Sequence, residues 1–246
     1  AFTALEAIEM TAKAGGSVIE FFPGQSFSKE NKNRKFNHEA ADQDDMIKIA
    51  LERCAEHKIT PMNYGVVGCP KDEKKAAQLF GFAKKLGLYG VTTESDDAID
   101  TLEMMAKEFD IKVCFHNHPK RPKDPGYKVW DPKYILDLVK DRDPRVGACA
   151  DTGHWMRSGF NPVDCIKILA GRVHSTHLKD LKKPRNEDVV WGAGDGHCAG
   201  QFAELRKQGF IGNVSVEYET KWENNHGDVT ESIAWIKKLA EREMWG

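Results

Sequence analysis

The 246-residue chain predicts an α/β protein built as a (β/α)8 barrel with its first strand missing, and three observations lead there. Short apolar runs of strand length alternate strictly with amphipathic stretches of helix length. Most of these runs are apolar without alternation, as strands are in a parallel sheet covered by helices on its outside. Five of them stop on side chains that hold protons or cations: Glu94, the pair His116 and His118, Asp151, His177, and Glu217. A barrel gathers the C-terminal ends of its strands at one mouth, so residues more than a hundred positions apart would meet there.

The elements follow in order. Thr3 is a candidate N-cap for a helix carrying Leu5, Ile8 and Met10, which Gly15-Gly16 ends. Val18 to Phe22 reads as the first strand, and Pro23-Gly24 breaks it. Gln25 to about Asp42 is too charged for core and reads as a long loop. A helix through Met46, Ile47, Ala50 and Cys54 leads to a strand within Ile59 to Val67. Lys71 to Leu86 is a helix, Leu88 to Thr93 a strand, and Ser95 starts a helix through Phe109. Then come a strand from Ile111 to Phe115, a loop to about Trp130, and a helix from Pro132 to Lys140. Arg145 to Ala150 is a strand, Pro162 to Ala170 a helix, and Arg172 to Thr176 a strand. A second long loop runs to Gly196, a helix ends near Gly209, Asn213 to Val216 is the last strand, and Thr230 to Met244 the closing helix. The count is seven strands and eight helices, and the unmatched element is the first helix. An eightfold barrel lacking one strand explains this, and an upstream strand or another occupant is expected in the gap. A doubly wound sheet is disfavoured, because no Gly-rich turn follows the first strand. Residues 1–246 are expected to form one domain.

Composition narrows the function classes. A formal net charge of -2, with both signs interspersed, gives no footprint for nucleic acid or an anionic membrane. No run approaches the length of a membrane span. The six cysteines (Cys54, Cys69, Cys114, Cys149, Cys165 and Cys198) are scattered without a C-x-x-C pair and read as small buried hydrophobes. A reducing, cytoplasmic setting is expected, with a periplasmic one left open because the chain opens on Ala1 and reads as trimmed. A homo-oligomer is compatible with this composition.

Mixed carboxylate and imidazole ligands suit a divalent ion such as Mn²⁺, Mg²⁺, Co²⁺ or Zn²⁺. Asp151, His177 and Glu217 supply that mixture from three strand ends. Singly, Asp151 could cap a turn, His177 could be a core histidine and Glu217 could pair with a lysine. As a set at a barrel mouth they read as a metal site, since buried charges need partners. Lys179 is a candidate to steady a developing oxyanion, or a solvent-facing residue. Gly192-Ala-Gly-Asp-Gly196 reads either as a phosphate loop or as a flexible connection. Trp130, Trp155, Trp191 and Trp222 offer a platform for a sugar ring, with packing under long loops as the plainer alternative.

The ordered set Asp151-Thr-Gly-His154, His177-Leu-Lys-Asp180 and Val216-Glu217, on this alternation, resembles the xylose isomerase-like TIM barrel superfamily of sugar isomerases and epimerases. That superfamily also includes inosose dehydratases, C-glycoside deglycosidase subunits and an apurinic endonuclease branch. The resemblance implies that Asp151, His177 and Glu217 are metal ligands and that His154 lies near the substrate or a second metal. In the ketose epimerase branch the fourth ligand is a glutamate that also moves a proton. The matching position here is His116, in Phe115-His-Asn-His118. Either His116 or His118 ligates, or Glu94 replaces the carboxylate, and alternating residues on a continuing strand would send the two imidazoles opposite ways.

The resulting expectation is a manganese-type metal-dependent enzyme of carbohydrate metabolism, acting on a sugar or polyol. It would abstract a proton next to a carbonyl, with the ion neutralising the enediolate as it forms. His118, His154 and Glu217 are the candidate bases. Isomerase or epimerase is the first reading, and a lyase or dehydratase on a keto-sugar is the second. A non-catalytic sugar-binding barrel subunit is the third, and the near-neutral charge places a nuclease last.

Overall fold

The computed structural model describes residues 2–244. Helix α1 (Ala4–Lys13) opens with a capping box, in which the Thr3 hydroxyl accepts from the Glu6 amide and the Glu6 carboxylate accepts from the Thr3 amide. Strand β1 (Val18–Phe21) follows, then a short antiparallel hairpin of β2 (Gln25–Ser26) and β3 (Lys35–Phe36). This hairpin corrects the loop expected over Gln25 to Asp42. Phe27 and Phe36 are fully buried, and Phe36 packs edge-on against Phe21 and Phe82. Two aromatics anchor a segment whose remaining side chains are polar.

The pairs α2 (Gln43–His57) and β4 (Thr60–Tyr64), then α3 (Glu73–Lys85) and β5 (Gly90–Thr93), continue the alternation. Ser95 does not cap a helix as expected: its hydroxyl accepts from the Cys69 amide, and a 3-10 turn (Asp96–Ala98) leads into α4 (Ile99–Phe109). Next come β6 (Lys112–His116) and α5 (Pro132–Val139), whose Pro at the first turn and Asp131 cap fix its start. Strand β7 (Val146–Asp151) runs straight into an additional helix, α6 (Thr152–Arg157). Asp151 caps it by accepting from the His154 amide at 2.9 Å.

Helix α7 (Pro162–Ile168) and strand β8 (Val173–Leu178) follow, then a second hairpin of β9 (Asp180–Lys182) and β10 (Glu187–Val189) inside the expected long loop. Helix α8 (Cys198–Lys207), strand β11 (Asn213–Val216) and helix α9 (His226–Met244) complete the chain, α9 starting one turn earlier than expected.

The seven long-range strands form one parallel sheet in the order β1-β4-β5-β6-β7-β8-β11. The described residues thus make a nearly closed TIM barrel with flanking helices and no strand between β1 and β11. Every residue of β7 is buried, as covering helices require of a central parallel strand. All six cysteines are free and buried. Among the described residues no helix is long and apolar enough to cross a membrane.

Candidate active site

Register brings the predicted strand ends to one level. Across β7 and β8, Asp151 pairs with His177; across β6 and β7, His116 pairs with Cys149; across β8 and β11, His177 pairs with Ser215. The Glu217 amide continues the last ladder by donating to the Leu178 carbonyl at 3.2 Å. Asp151, His177 and Glu217 can each point an atom into one sphere, with the donor atoms within 4.8 Å of one another. The same holds for Glu94, His116 and His118, and for His116, Asp151 and His154.

His116 and His118 do not face opposite ways. Strand β6 ends at His116, so the alternation stops there, and both imidazoles turn to Glu94. The Nδ1 atom of His116 is 2.9 Å from Glu94 Oε1, and His118 Nδ1 contacts the same oxygen. Burial raises the Glu94 carboxyl, but its hydrogen bonds to His116 and His118 win and hold it at about 2. On its other side His116 presents Nε2 to Asp151 Oδ2 at 3.4 Å. Between the two histidines, Asn117 pins the neighbouring strand: it donates to the Asp151 carbonyl at 2.9 Å and accepts from the Asp151 amide at 3.0 Å.

His177 repeats this arrangement with its nitrogens exchanged. Its Nε2 is 2.9 Å from Glu20 Oε2 on β1, while Nδ1 faces Glu217 Oε2 at 3.0 Å without hydrogen-bond geometry and has no hydrogen-bond partner. Each imidazole is therefore oriented by a carboxylate on its outer nitrogen and turns the inner one toward Asp151 or Glu217. That is the arrangement of metal-ligating histidines. An unpartnered buried nitrogen among two carboxylates and a second imidazole fits a divalent cation of borderline hardness. Glu94 belongs to this pattern as the orienting group for His116.

Lys179 is fully buried and does not face solvent. Its ammonium contacts Asp151 Oδ2 and lies 3.5 Å from Glu217 Oε1 and 3.8 Å from Glu219 Oε2. Burial lowers the Lys179 amine, yet Asp151, Glu217 and Glu219 together hold it above its ordinary value. Burial likewise raises Asp151, and Lys179, His116 and His154 outweigh it, so the carboxyl sits well below its ordinary value.

His154 is buried, and its Nδ1 accepts from Arg157 Nη1 at 3.0 Å. Burial is the main cause that pushes its imidazole down to about 3. The neutral ring therefore carries its proton on Nε2, an assignment from the hydrogen-bond network. Arg157 also binds Glu219 and reaches Asp188 at 3.4 Å. Above these groups lies a cavity of about 550 Å³, lined by the Gly65–Gly68 turn, Glu94, His118 and Glu217 and walled by Phe22.

The glycine loop binds no external anion through its amides. Gly192, Gly194 and Gly196 donate to the Asp180 carboxylate at 2.8, 2.9 and 2.9 Å, so a side chain already fills that nest. Of the four tryptophans offered as a sugar platform, Trp155 and Trp191 are buried as packing residues, Trp130 stacks on Phe160, and Trp222 is exposed. Glu20, Asn117 and Arg157 are the site residues that sequence reasoning missed. Glu20 was findable, as a lone acid in the apolar Val18-Ile-Glu-Phe21 strand.

Fold and site together define a TIM barrel with a cluster of carboxylates and histidines at the C-terminal ends of its strands. Residues 95–239 match the family model described as xylose isomerase-like TIM barrel, and the chain belongs to that family. A 93-residue stretch is 33% identical to the inosose dehydratase of Clostridium tetani, covering 37% of this chain and 28% of that protein. The chain thus aligns with under a third of this curated relative's length. An uncharacterized protein from Parabacteroides distasonis has a solved structure with a TM-score of 0.74 at 29% identity, covering 96% of this chain and 93% of that one. D-psicose 3-epimerase of Clostridium cellulolyticum, solved with D-tagatose, gives a TM-score of 0.71 at 14% identity over 97% and 94% of the chains, a likeness of fold alone.

Proposed function

We propose that this protein is a divalent-metal-dependent enzyme that takes the proton beside the carbonyl of a keto-sugar or keto-polyol and expels a hydroxyl from the next carbon. The observation that carries the reading is the unlike pair of proton-handling groups bordering the cavity. Glu217 and Glu219 stand at the end of β11, and the His118 imidazole held by Glu94 stands beyond β6, with two strands between them. Epimerisation asks for two groups that can each give and take a proton at carbon. Elimination asks for one acceptor at carbon and one donor at a leaving oxygen. A carboxylate on one side and a carboxylate-backed imidazole on the other suit the second task. This moves the lyase reading ahead of the isomerase reading that came first from sequence, and the inosose dehydratase relative supports the same order.

Asp151, His177, Glu217 and His116 would hold the ion, and Glu20 and Glu94 would orient the two imidazoles. When bound, the ion polarises the substrate carbonyl and offsets negative charge on its oxygen. Glu217 accepts the proton from carbon, and the C–H electron pair becomes the new C=C bond. The C–O bond breaks as the His118 imidazole, oriented by Glu94, delivers a proton to the leaving oxygen, so one water departs. The neutral His154 keeps its Nε2 proton facing the centre and serves as a donor to substrate oxygen, not as a base. Lys179 balances the charge of Asp151.

The test is incubation of the protein with Mn²⁺, Mg²⁺, Co²⁺ or Zn²⁺ in D2O, with an inosose and a 3-keto-glycoside as substrates. Loss of one water or of the aglycone is expected, followed by mass spectrometry and NMR. Deuterium uptake without elimination would return the assignment to isomerase or epimerase. Asp151→Asn should lose both metal and turnover, and full activity in a metal-free Asp151→Asn protein would overturn the proposal.

A further inference from the structure

We propose that the loop between β6 and α5 forms a second subsite, which binds an anionic group, carboxylate or phosphate, carried by the sugar on which the centre acts. The inference rests on the proposed reaction and adds the charge class of its substrate. Residues 119–131 of this loop border a cavity of about 400 Å³, distinct from the one above the carboxylate and histidine cluster.

The charge of the loop runs against that of the chain. Lys120, Arg121, Lys123 and Lys128 stand there against Asp124 and Asp131, in a protein of formal net charge -2. Asp131 is committed to the start of α5, where its carboxylate accepts from the Lys133 amide at 2.9 Å. Among the described residues none of the three lysines makes an ion pair. Arg121 reaches Glu94 Oε2 only at 3.7 Å, and the other oxygen of that carboxylate serves His116 and His118.

Aromatic rings hold these cations in place. Arg121 lies 3.7 Å from the centre of the Tyr127 ring, Lys120 4.8 Å from Trp130, and Lys128 5.8 Å from Tyr134. A cation resting on a ring keeps N–H groups for a further partner and loses fewer rotamers when one arrives. A stacked guanidinium presents its planar fork to a carboxylate or phosphate, with the lysines as added point charges. A neutral ligand stacking on the same rings would have to displace the cations.

Two contacts fasten the loop to the proton-handling groups. The Tyr127 hydroxyl accepts from the His118 amide at 2.8 Å. Arg121 spans the two cavities, since it packs on Tyr127 in one and approaches Glu94 in the other. Glu94 in turn contacts His118, so a substituent on a sugar held at His118 is within reach of Arg121.

The experiment is isothermal titration calorimetry on the full chain with Mg²⁺ present. The probes are methyl glucoside, methyl glucuronoside and methyl glucoside 6-phosphate, with acetate and inorganic phosphate as free anions. None of these sugars has an aldehyde or ketone, so binding is read without turnover, and failure of the proposed elimination is a separate result. At least one sugar anion is expected to bind about tenfold or more tightly than methyl glucoside and than its free anion, and to weaken as KCl is raised. Which of the two binds more tightly tells carboxylate from phosphate. The double variant Lys120→Gln, Lys128→Gln should remove that advantage. The control Lys74→Gln, Lys75→Gln makes the same charge change on the exposed start of α3 and should keep it. The proposal is overturned if neither sugar anion binds more tightly than methyl glucoside, or if the free anions bind as tightly as the sugar anions. It also fails if the two double variants behave alike.

Discussion

Replacing Lys179 with Met removes one charge from the centre while keeping most of the buried stem. Both Lys179 and Asp151 are fully buried, and the ammonium contacts Asp151 Oδ2. After Lys179→Met, Asp151 keeps only His116 Nε2 at 3.4 Å, His154 Nε2 at 3.6 Å and the His154 amide at 2.9 Å. Breaking a buried pair by removing one partner costs about 3–5 kcal/mol. Because Met fills similar space and the histidines remain, the low end, about 3 kcal/mol, is expected. With a urea dependence near 3 kcal/mol per molar for a chain of this size, the midpoint should fall by about 1 M. The assay is urea unfolding followed by circular dichroism at neutral pH with chelator present, then with added divalent metal. Metal at about a hundred times its Kd should return roughly 2.7 kcal/mol. The variant should also bind the ion more tightly than the parent, because no ammonium competes for Asp151 Oδ2. An unchanged midpoint in chelator, or weaker metal binding in the variant, would refute the reasoning.

Three further outcomes follow from other parts of the molecule. Asp180→Ala strands the Gly192, Gly194 and Gly196 amides and should cost about 2–4 kcal/mol, measured by denaturant unfolding, with faster proteolysis in that loop. Gly153→Ala places a Cβ 2.6 Å from Cβ and Cδ of Lys179; after the gain in helix propensity it should still lose about 1–2 kcal/mol, and a more stable variant would contradict the packing. Glu103 is held down to about 2 from its ordinary 4.5, first by its hydrogen bond to Lys107 and then by Arg142. A depressed folded value means the contribution is present above 4.5 and lost as pH falls from 4.5 toward 2, so Glu103→Gln should flatten the acid limb of stability by about 1 kcal/mol after solvent screening.

The convergence of Asp151, His177 and Glu217 was legible in the sequence because each stands at the end of a strand-length run, and a barrel puts strand ends together. The seven strands and the missing eighth were legible for the same reason, since hydrophobic period and helix stops are local properties. Two kinds of feature were not. The hairpin around Phe27 and Phe36, and the helix after Asp151, depend on what lies opposite them in space. The orienting pair Glu20 with His177 joins side chains from different elements, and no spacing rule announces it.

By itself the sequence determined that strand ends carry acids and histidines, because burial of alternating elements dictates a parallel barrel. Tertiary structure alone decided which nitrogen of each histidine faces inward. That choice depends on a carboxylate delivered from another strand, Glu20 for His177 and Glu94 for His116. It also decided that Lys179 is buried against Asp151 and that Asp180 occupies the glycine nest. A charged side chain's partner is set by distance in space, which chain order does not encode.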